Sequence, residues 1–222
     1  MRNFDWIYQH ALERKGGAKV LESLLPVPRS ADELAALPDR YFLSSMSWRI
    51  FCAGLNRKMV DNKWPAFEEV FFGFEPQKLV LMSDDLLEKT MQDKRIIRHW
   101  GKIKSIRTNA AMILALGEEK GGFGRFLADW PAETIVELWQ VLKKQGAQLG
   151  GNSGAYSLRI VGKDTFMLSN DVVAALKAQK IIDKKPTSKA DLNATQAAFN
   201  EWRKQSGRPL CQISRLLSFC AD

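Results

Sequence analysis

Apolar residues recur at spacings of three and four through nearly the whole chain, and sustained period-two alternation is hard to find. A repeat near 3.6 gathers those residues on one face of a helix, so the pattern predicts an all-α fold. It places helices at about 4–14, 31–37, 40–53, 56–61, 65–72, 76–81, 84–93, 100–117, 122–129, 132–145, 152–161, 170–180, 189–205 and 209–219. The eight prolines mostly stand where these patterns begin, positions at which a missing N–H costs little. Ser30-Ala31-Asp32-Glu33 reads as a capping box, with the Ser30 hydroxyl and the Glu33 carboxylate each satisfying the other residue's amide. Ser83 ahead of Asp84 and Asp85, and Ser188 ahead of Asp191, mark two more helix starts with acids facing the positive helix end. The polar run 180–189 (KIIDKKPTSK) is the expected linker, which leaves the last forty or so residues as an appended helical pair.

Composition narrows the class. With 222 residues, 45% of them hydrophobic, seven Trp and twelve Phe, the chain can bury the core of one domain, or of two small helical lobes sharing a cleft. A net charge of +8 and a pI near 9.4 favour a polyanionic partner, nucleic acid first. A basic surface kept for solubility accounts for the same charge. Cys52, Cys211 and Cys220 are scattered and odd in number, which argues against a disulfide framework or zinc knuckle and for a reducing compartment. The first residues hold no apolar signal core, and no stretch reaches the roughly 18 apolar residues of a membrane helix. A soluble, cytoplasmic, monomeric protein without membrane contact is expected.

One segment carries a nucleic-acid signal. Val141-Leu142-Lys143-Lys144-Gln145 closes an amphipathic helix, and Gly146-Ala147-Gln148-Leu149-Gly150-Gly151 joins it to a second helix beginning near Asn152. Glycines in such a turn permit positive φ and leave main-chain amides bare, while the helix that follows presents its positive end. That combination suits a phosphate, with Lys143, Lys144, Arg159 and Lys163 adding counter-charge. An ordinary glycine helix stop followed by a loop is the plainer reading.

Ile96-Ile97-Arg98-His99-Trp100-Gly101-Lys102-Ile103, continuing to Asn109-Ala110, resembles the IIRHxGKI…NA signature of the bacterial 3-methyladenine DNA glycosylase I family. Ala53-Gly54-Leu55 and Phe74-Glu75-Pro76 resemble that family's AGL…FDP stretch. Leu142–Gly146, Leu149-Gly150 and Tyr156-Ser157 resemble its helix–hairpin–helix. The resemblance covers about two-thirds of the chain and implies a helix–hairpin–helix DNA glycosylase fold, two helical lobes around a cleft. It implies a domain over residues 1–182, with 183–222 as a helical extension packed on it.

Such an enzyme extrudes a nucleotide, holds it in an aromatic pocket and fills the gap in the stack with an apolar wedge. The resemblance makes Leu55 the wedge and places Arg49 in the base pocket, where Trp6, Tyr8 and Trp48 are expected as stacking aromatics, with Trp64 a further aromatic candidate. Arg57, Lys102, Lys143, Lys144, Gly146, Leu149, Gly150, Gly151 and Asn152 are the expected DNA contacts. For each of these the plain alternative is core packing or a solvated surface. Arg49 stands where the family has the glutamate that reads a cationic base, and Arg57 where it has a tryptophan. An arginine repels a cation, so a neutral or anionic-edged lesion, or a backbone phosphate, suits this chain better. The catalytic aspartate of the wider superfamily aligns with Ser169, the nearest acid being Asp171, which is the candidate catalytic residue; a helix-dipole role is its alternative. The family's zinc ligands are not reproduced, since His10 and Cys220 stand isolated and the chain has two histidines. No zinc and no other cofactor is expected.

The reading is therefore a base-excision repair glycosylase that flips a damaged base, an alkylated purine, out of double-stranded DNA and hydrolyses its N-glycosidic bond. The alternative is a non-catalytic helix–hairpin–helix DNA-binding or damage-sensing protein.

Overall fold

The computed structural model describes residues 1–221, and among them there are helices and no strand. In chain order the α-helices are α1 Phe4–Lys15, α2 Ala18–Ser23, α3 Ala31–Ala35, α4 Asp39–Cys52, α5 Arg57–Val70, α6 Pro76–Val80 and α7 Asp84–Thr90. They continue with α8 Trp100–Gly117, α9 Phe123–Asp129, α10 Ile135–Gln145, α11 Ser153–Ile160, α12 Asn170–Ala178, α13 Lys189–Ser206 and α14 Leu210–Ser218. No helix of the described residues is long and apolar enough to cross a membrane.

Side-chain caps start the helices as the sequence foretells. Ser30 and Glu33 form both bonds of the capping box at α3, while Ser83 and Ser188 accept the N–H groups of Leu86 and Asp191 at α7 and α13. One expected break is absent, because α5 runs through Pro65. On either side of that proline, Trp64 and Phe67 stack at 4.9 Å, and Trp64 also stacks on Phe74 at 5.3 Å. Burial of these rings offsets the roughly 3 kcal/mol that an internal proline costs. The short α2, entered through Gly17 at φ 117° with no side-chain cap, has no counterpart in the sequence pattern.

By compactness the chain forms two units that alternate along the sequence: Ser30–Trp130 with Trp139–Val161, and Met1–Arg29 with Pro131–Leu138 and the chain from Gly162 onward. The first has α4 at its middle, with Phe42, Leu43, Met46, Ile50 and Phe51 buried, packed against α5, α8, α9 and α11. In the second, α13 supplies Phe199, stacked on Phe166 at 4.2 Å, and the fully buried Trp202, whose Nε1–H donates to the Arg2 carbonyl at 2.9 Å. Asp164 accepts the amides of Leu210 and Cys211 and so starts α14. Helices beyond residue 183 thus share a core with α1, and the division does not fall at the expected 182/183 boundary.

Candidate functional site

The hairpin turn, the end of α10 from Trp139 onward and α11 lie within the first unit. Leu142 and Leu149 are buried on either side of the turn, while Lys143, Lys144, Gly150 and Gly151 are exposed. Buried Asn109 of α8 fixes the turn with two bonds, its Oδ1 accepting the Ala147 amide at 2.8 Å and its Nδ2 donating to the Ala147 carbonyl at 3.1 Å. Gly146 allows this approach, because a Cβ there would stand 2.6 Å from Leu149 Cδ1 and 2.8 Å from Asn109 Oδ1. Gly151 adopts φ 58°, and no atom lies within 4 Å of where a Cβ would stand on it or on Gly150. The turn therefore offers bare backbone at the entry to α11.

The signature helix α8 also shapes the turn after α4. His99 Nδ1 accepts the Lys102 amide at 3.3 Å and caps α8. The Lys102 ammonium donates to the carbonyls of Phe51 at 3.2 Å and Ala53 at 2.6 Å, closing the carbonyl end of α4. Lys102 was expected on a DNA phosphate, but it is only 8% exposed, and burial holds its ammonium below the usual lysine range. The unmatched carbonyls of a helix end attract a cation more cheaply than a screened phosphate would. Beyond them Gly54 is left-handed, and Leu55 sits half-buried among exposed neighbours.

Beside this turn, Ser44, Ser45, Trp48, Arg49, Cys52, Arg57, Asp61, Trp64, Tyr156 and Ile160 line an open cavity of about 630 Å³. That is the size of sites for small organic ligands, roughly 300–1,000 Å³. Residues 45, 48, 49 and 52 form one stripe of α4, and 57, 61 and 64 one stripe of α5. Asp61 accepts the Trp48 Nε1–H at 2.8 Å and lies 3.7 Å from Arg57, whose guanidinium covers the Trp48 ring at 4.9 Å. Trp64 donates to Ser44, which donates to Glu68. Arg49 lies over the Tyr156 ring at 4.6 Å, and its buried Nε has no hydrogen-bond partner. Burial, and secondarily Asp61, push the Cys52 thiol up.

Trp48, Arg49 and Arg57 of the sequence expectation thus meet in one cavity, with Trp64. Tyr156, Ile160, Asp61, Ser44, Ser45 and Cys52 were missed, although the three-and-four spacing from Trp48 and Arg57 marks most of them. Trp6 and Tyr8, expected in the pocket, are not in its wall. They belong to the other unit, where Trp6 stacks on His10 at 4.8 Å and the Tyr8 hydroxyl donates to Glu22 at 2.9 Å. Asp171 is in that unit too, exposed in the first turn of α12, which Ser169 caps; it borders a depression lined by Arg14, Lys15 and Arg215. The family's zinc does not fit this donor set: among the described residues no three His, Cys, Asp or Glu side chains group to hold a metal, and the His10 ring is stacked away.

A methyladenine glycosylase family profile matches residues 36–158, more than half of the chain and all of the cavity wall except Ile160. The chain belongs to the methyladenine glycosylase family. Among its relatives in that family, DNA-3-methyladenine glycosylase 1 of Escherichia coli (strain K12) is 30% identical over 123 residues, covering 47% of this chain and 66% of the relative. The chain thus spans just under two thirds of that protein's length. A crystal structure of 3-methyladenine DNA glycosylase I superposes with a TM-score of 0.50 at 25% identity, over 62% of this chain and 82% of that one. The Methanocaldococcus jannaschii 8-oxoguanine glycosylase/lyase, solved with a 15mer DNA containing 8-oxoguanine, is 11% identical. It superposes with a TM-score of 0.53 over 96% of both chains. At that identity it speaks for the fold alone, a helical one over most of this chain.

Proposed function

We propose that this protein is a DNA N-glycosylase of base-excision repair, which everts a damaged purine, alkylated purines foremost, into the cavity and hydrolyses its bond to the sugar. One helix carries this reading. The exposed Gly150-Gly151 turn leads into α11, whose fourth residue, Tyr156, lies in the cavity wall, so a strand gripped at the turn delivers its neighbouring nucleotide to the aromatic chamber. Bare amides and the positive end of α11 suit a phosphate, and the exposed Lys143 and Lys144 supply the salt-dependent part of the affinity. Leu55 fills the vacated stack, and Trp48 and Trp64 face the everted base.

In the reaction water adds to C1′ and gives up a proton to solvent, the C1′–N bond breaks and its electron pair leaves with the cationic base, which departs neutral. Asp61, oriented by Trp48 and Arg57, is the carboxylate that the wall offers to the sugar's developing positive charge. A base that is already cationic needs little further acid help. The test is chromatographic analysis of bases freed when the purified chain meets methylated duplex DNA; release of an alkylated purine supports the proposal. Arg49 in the wall favours a second reading, a damage-sensing binder without chemistry, which tight duplex binding with no base released would favour instead.

A further inference from the structure

We infer that Arg49 sets the substrate class: the everted base is a 6-oxopurine, of guanine or hypoxanthine type, rather than a 6-aminopurine. The inference rests on the glycosylase reading and specifies its base. Arg49 projects from the α4 stripe into the cavity wall, its guanidinium carbon 4.6 Å from the centre of the Tyr156 ring, a cation–π contact that tethers the head group. Its buried Nε–H has no partner, and no carboxylate among the described residues is within ion-pair distance of it. The other arginine of the wall is occupied, Arg57 being held by Asp61 and the Trp48 ring. Arg49 is therefore a planar set of donors in an aromatic chamber awaiting acceptors.

Purines differ in what they offer to such a fork. A 6-oxopurine presents O6 and N7 side by side, two acceptors that match a guanidinium in bidentate fashion. A 6-aminopurine presents an amino donor beside N7, so a donor would meet a donor and one group would stay unpaired in a desolvated site. The same arginine assists departure. When the C1′–N9 bond of a neutral 6-oxopurine breaks, the electron pair passes to the base, water supplies hydroxide to C1′ and a proton to the purine, and the transient negative charge reaches O6 and N7, where Arg49 stands.

Duplexes carrying one deoxyinosine, together with methylated duplex DNA holding both N3-methylguanine and N3-methyladenine, test this with the full chain. The expected result is release of hypoxanthine, and of N3-methylguanine ahead of N3-methyladenine by about ten- to a hundredfold, the discrimination of one bidentate pair. Arg49→Glu should invert the ratio and Arg49→Gln should level it, with circular dichroism melts confirming that both fold. Preferred release of N3-methyladenine, or an unchanged ratio in both variants, overturns the inference and leaves the glycosylase reading standing. Should no base be released, calorimetric titration with free hypoxanthine and free adenine still decides the pocket. Tighter hypoxanthine binding that Arg49→Gln abolishes supports the inference while the catalytic reading falls, and equal or reversed affinity overturns it. Equal loss of undamaged-duplex affinity in Arg49→Gln, with the base ratio intact, would place Arg49 on a phosphate and also overturn it.

Discussion

Replacing Lys102 with methionine separates a helix-capping lysine from a DNA-gripping one. The substitution keeps the length of the stem and deletes an ammonium that donates to the Phe51 and Ala53 carbonyls at 3.2 and 2.6 Å. Hydrogen bonds to a charged group contribute about 1.5–3 kcal/mol each, so two of them are worth on the order of 3–6 kcal/mol. Part of this is returned, because the variant no longer buries a charge, the cost that holds the Lys102 ammonium below the usual range. A net destabilisation of about 2–3 kcal/mol remains, read as a shift of the urea midpoint at neutral pH. The pH dependence carries its own signature. A lysine whose folded value is lowered gives up its proton earlier in the folded protein than in the unfolded chain. Wild-type stability should therefore rise between that lowered value and about 10.4, the range of an ordinary lysine, and Lys102→Met should erase the rise. Duplex affinity titrated against salt should keep its slope. A variant of unchanged stability whose slope falls by about 0.9 would put Lys102 on a phosphate and refute the capping account.

Three further outcomes follow from the hairpin and the cavity. Gly146→Ala should cost about 1–3 kcal/mol in denaturant unfolding, because its Cβ meets Leu149 and Asn109 at 2.6 and 2.8 Å, whereas Gly150→Ala, facing open space, should stay within about 0.5 kcal/mol. Gly150→Trp should weaken damaged and undamaged duplexes alike, and unimpaired binding would argue against a phosphate at the turn. Cys52, its thiol pushed up by burial and then by Asp61, should react with iodoacetamide at neutral pH more slowly than an exposed cysteine and faster in Asp61→Asn; peptide mapping showing a fully reactive wild-type Cys52 would contradict this.

The helical class, the capping serines and the glycine turn were legible because each is local, fixed by residues three or four apart. The cavity wall was half legible. Trp48 and Arg57 announce themselves by type, whereas Tyr156 arrives from a helix more than ninety residues away. Lys102 shows the limit of reading charge from sequence, since a lysine in a DNA-repair signature looks like a phosphate contact until its stem is traced to the end of α4. Trp6 and Tyr8 were drawn to the pocket by their aromaticity, yet partners within their own unit account for both. The make-up of that unit was hidden for a similar reason. It depends on pairs such as Arg2 with Trp202 and Phe4 with Gln205, some two hundred residues apart, which no local pattern encodes.

Lys102 and Asn109 stand seven residues apart on α8, two turns along one face, one bracing the loop that bears Leu55 and the other the glycine turn. A continuous helix does not stretch, so these two loops are held on a rigid gauge about 10 Å long. A duplex seated on both must itself supply the bending and unstacking. Under the proposed glycosylase reading, search along DNA would then be governed by the stiffness of the nucleic acid: soft pyrimidine–purine steps and poorly stacked lesions would yield to the gauge first, before any chemistry had examined them.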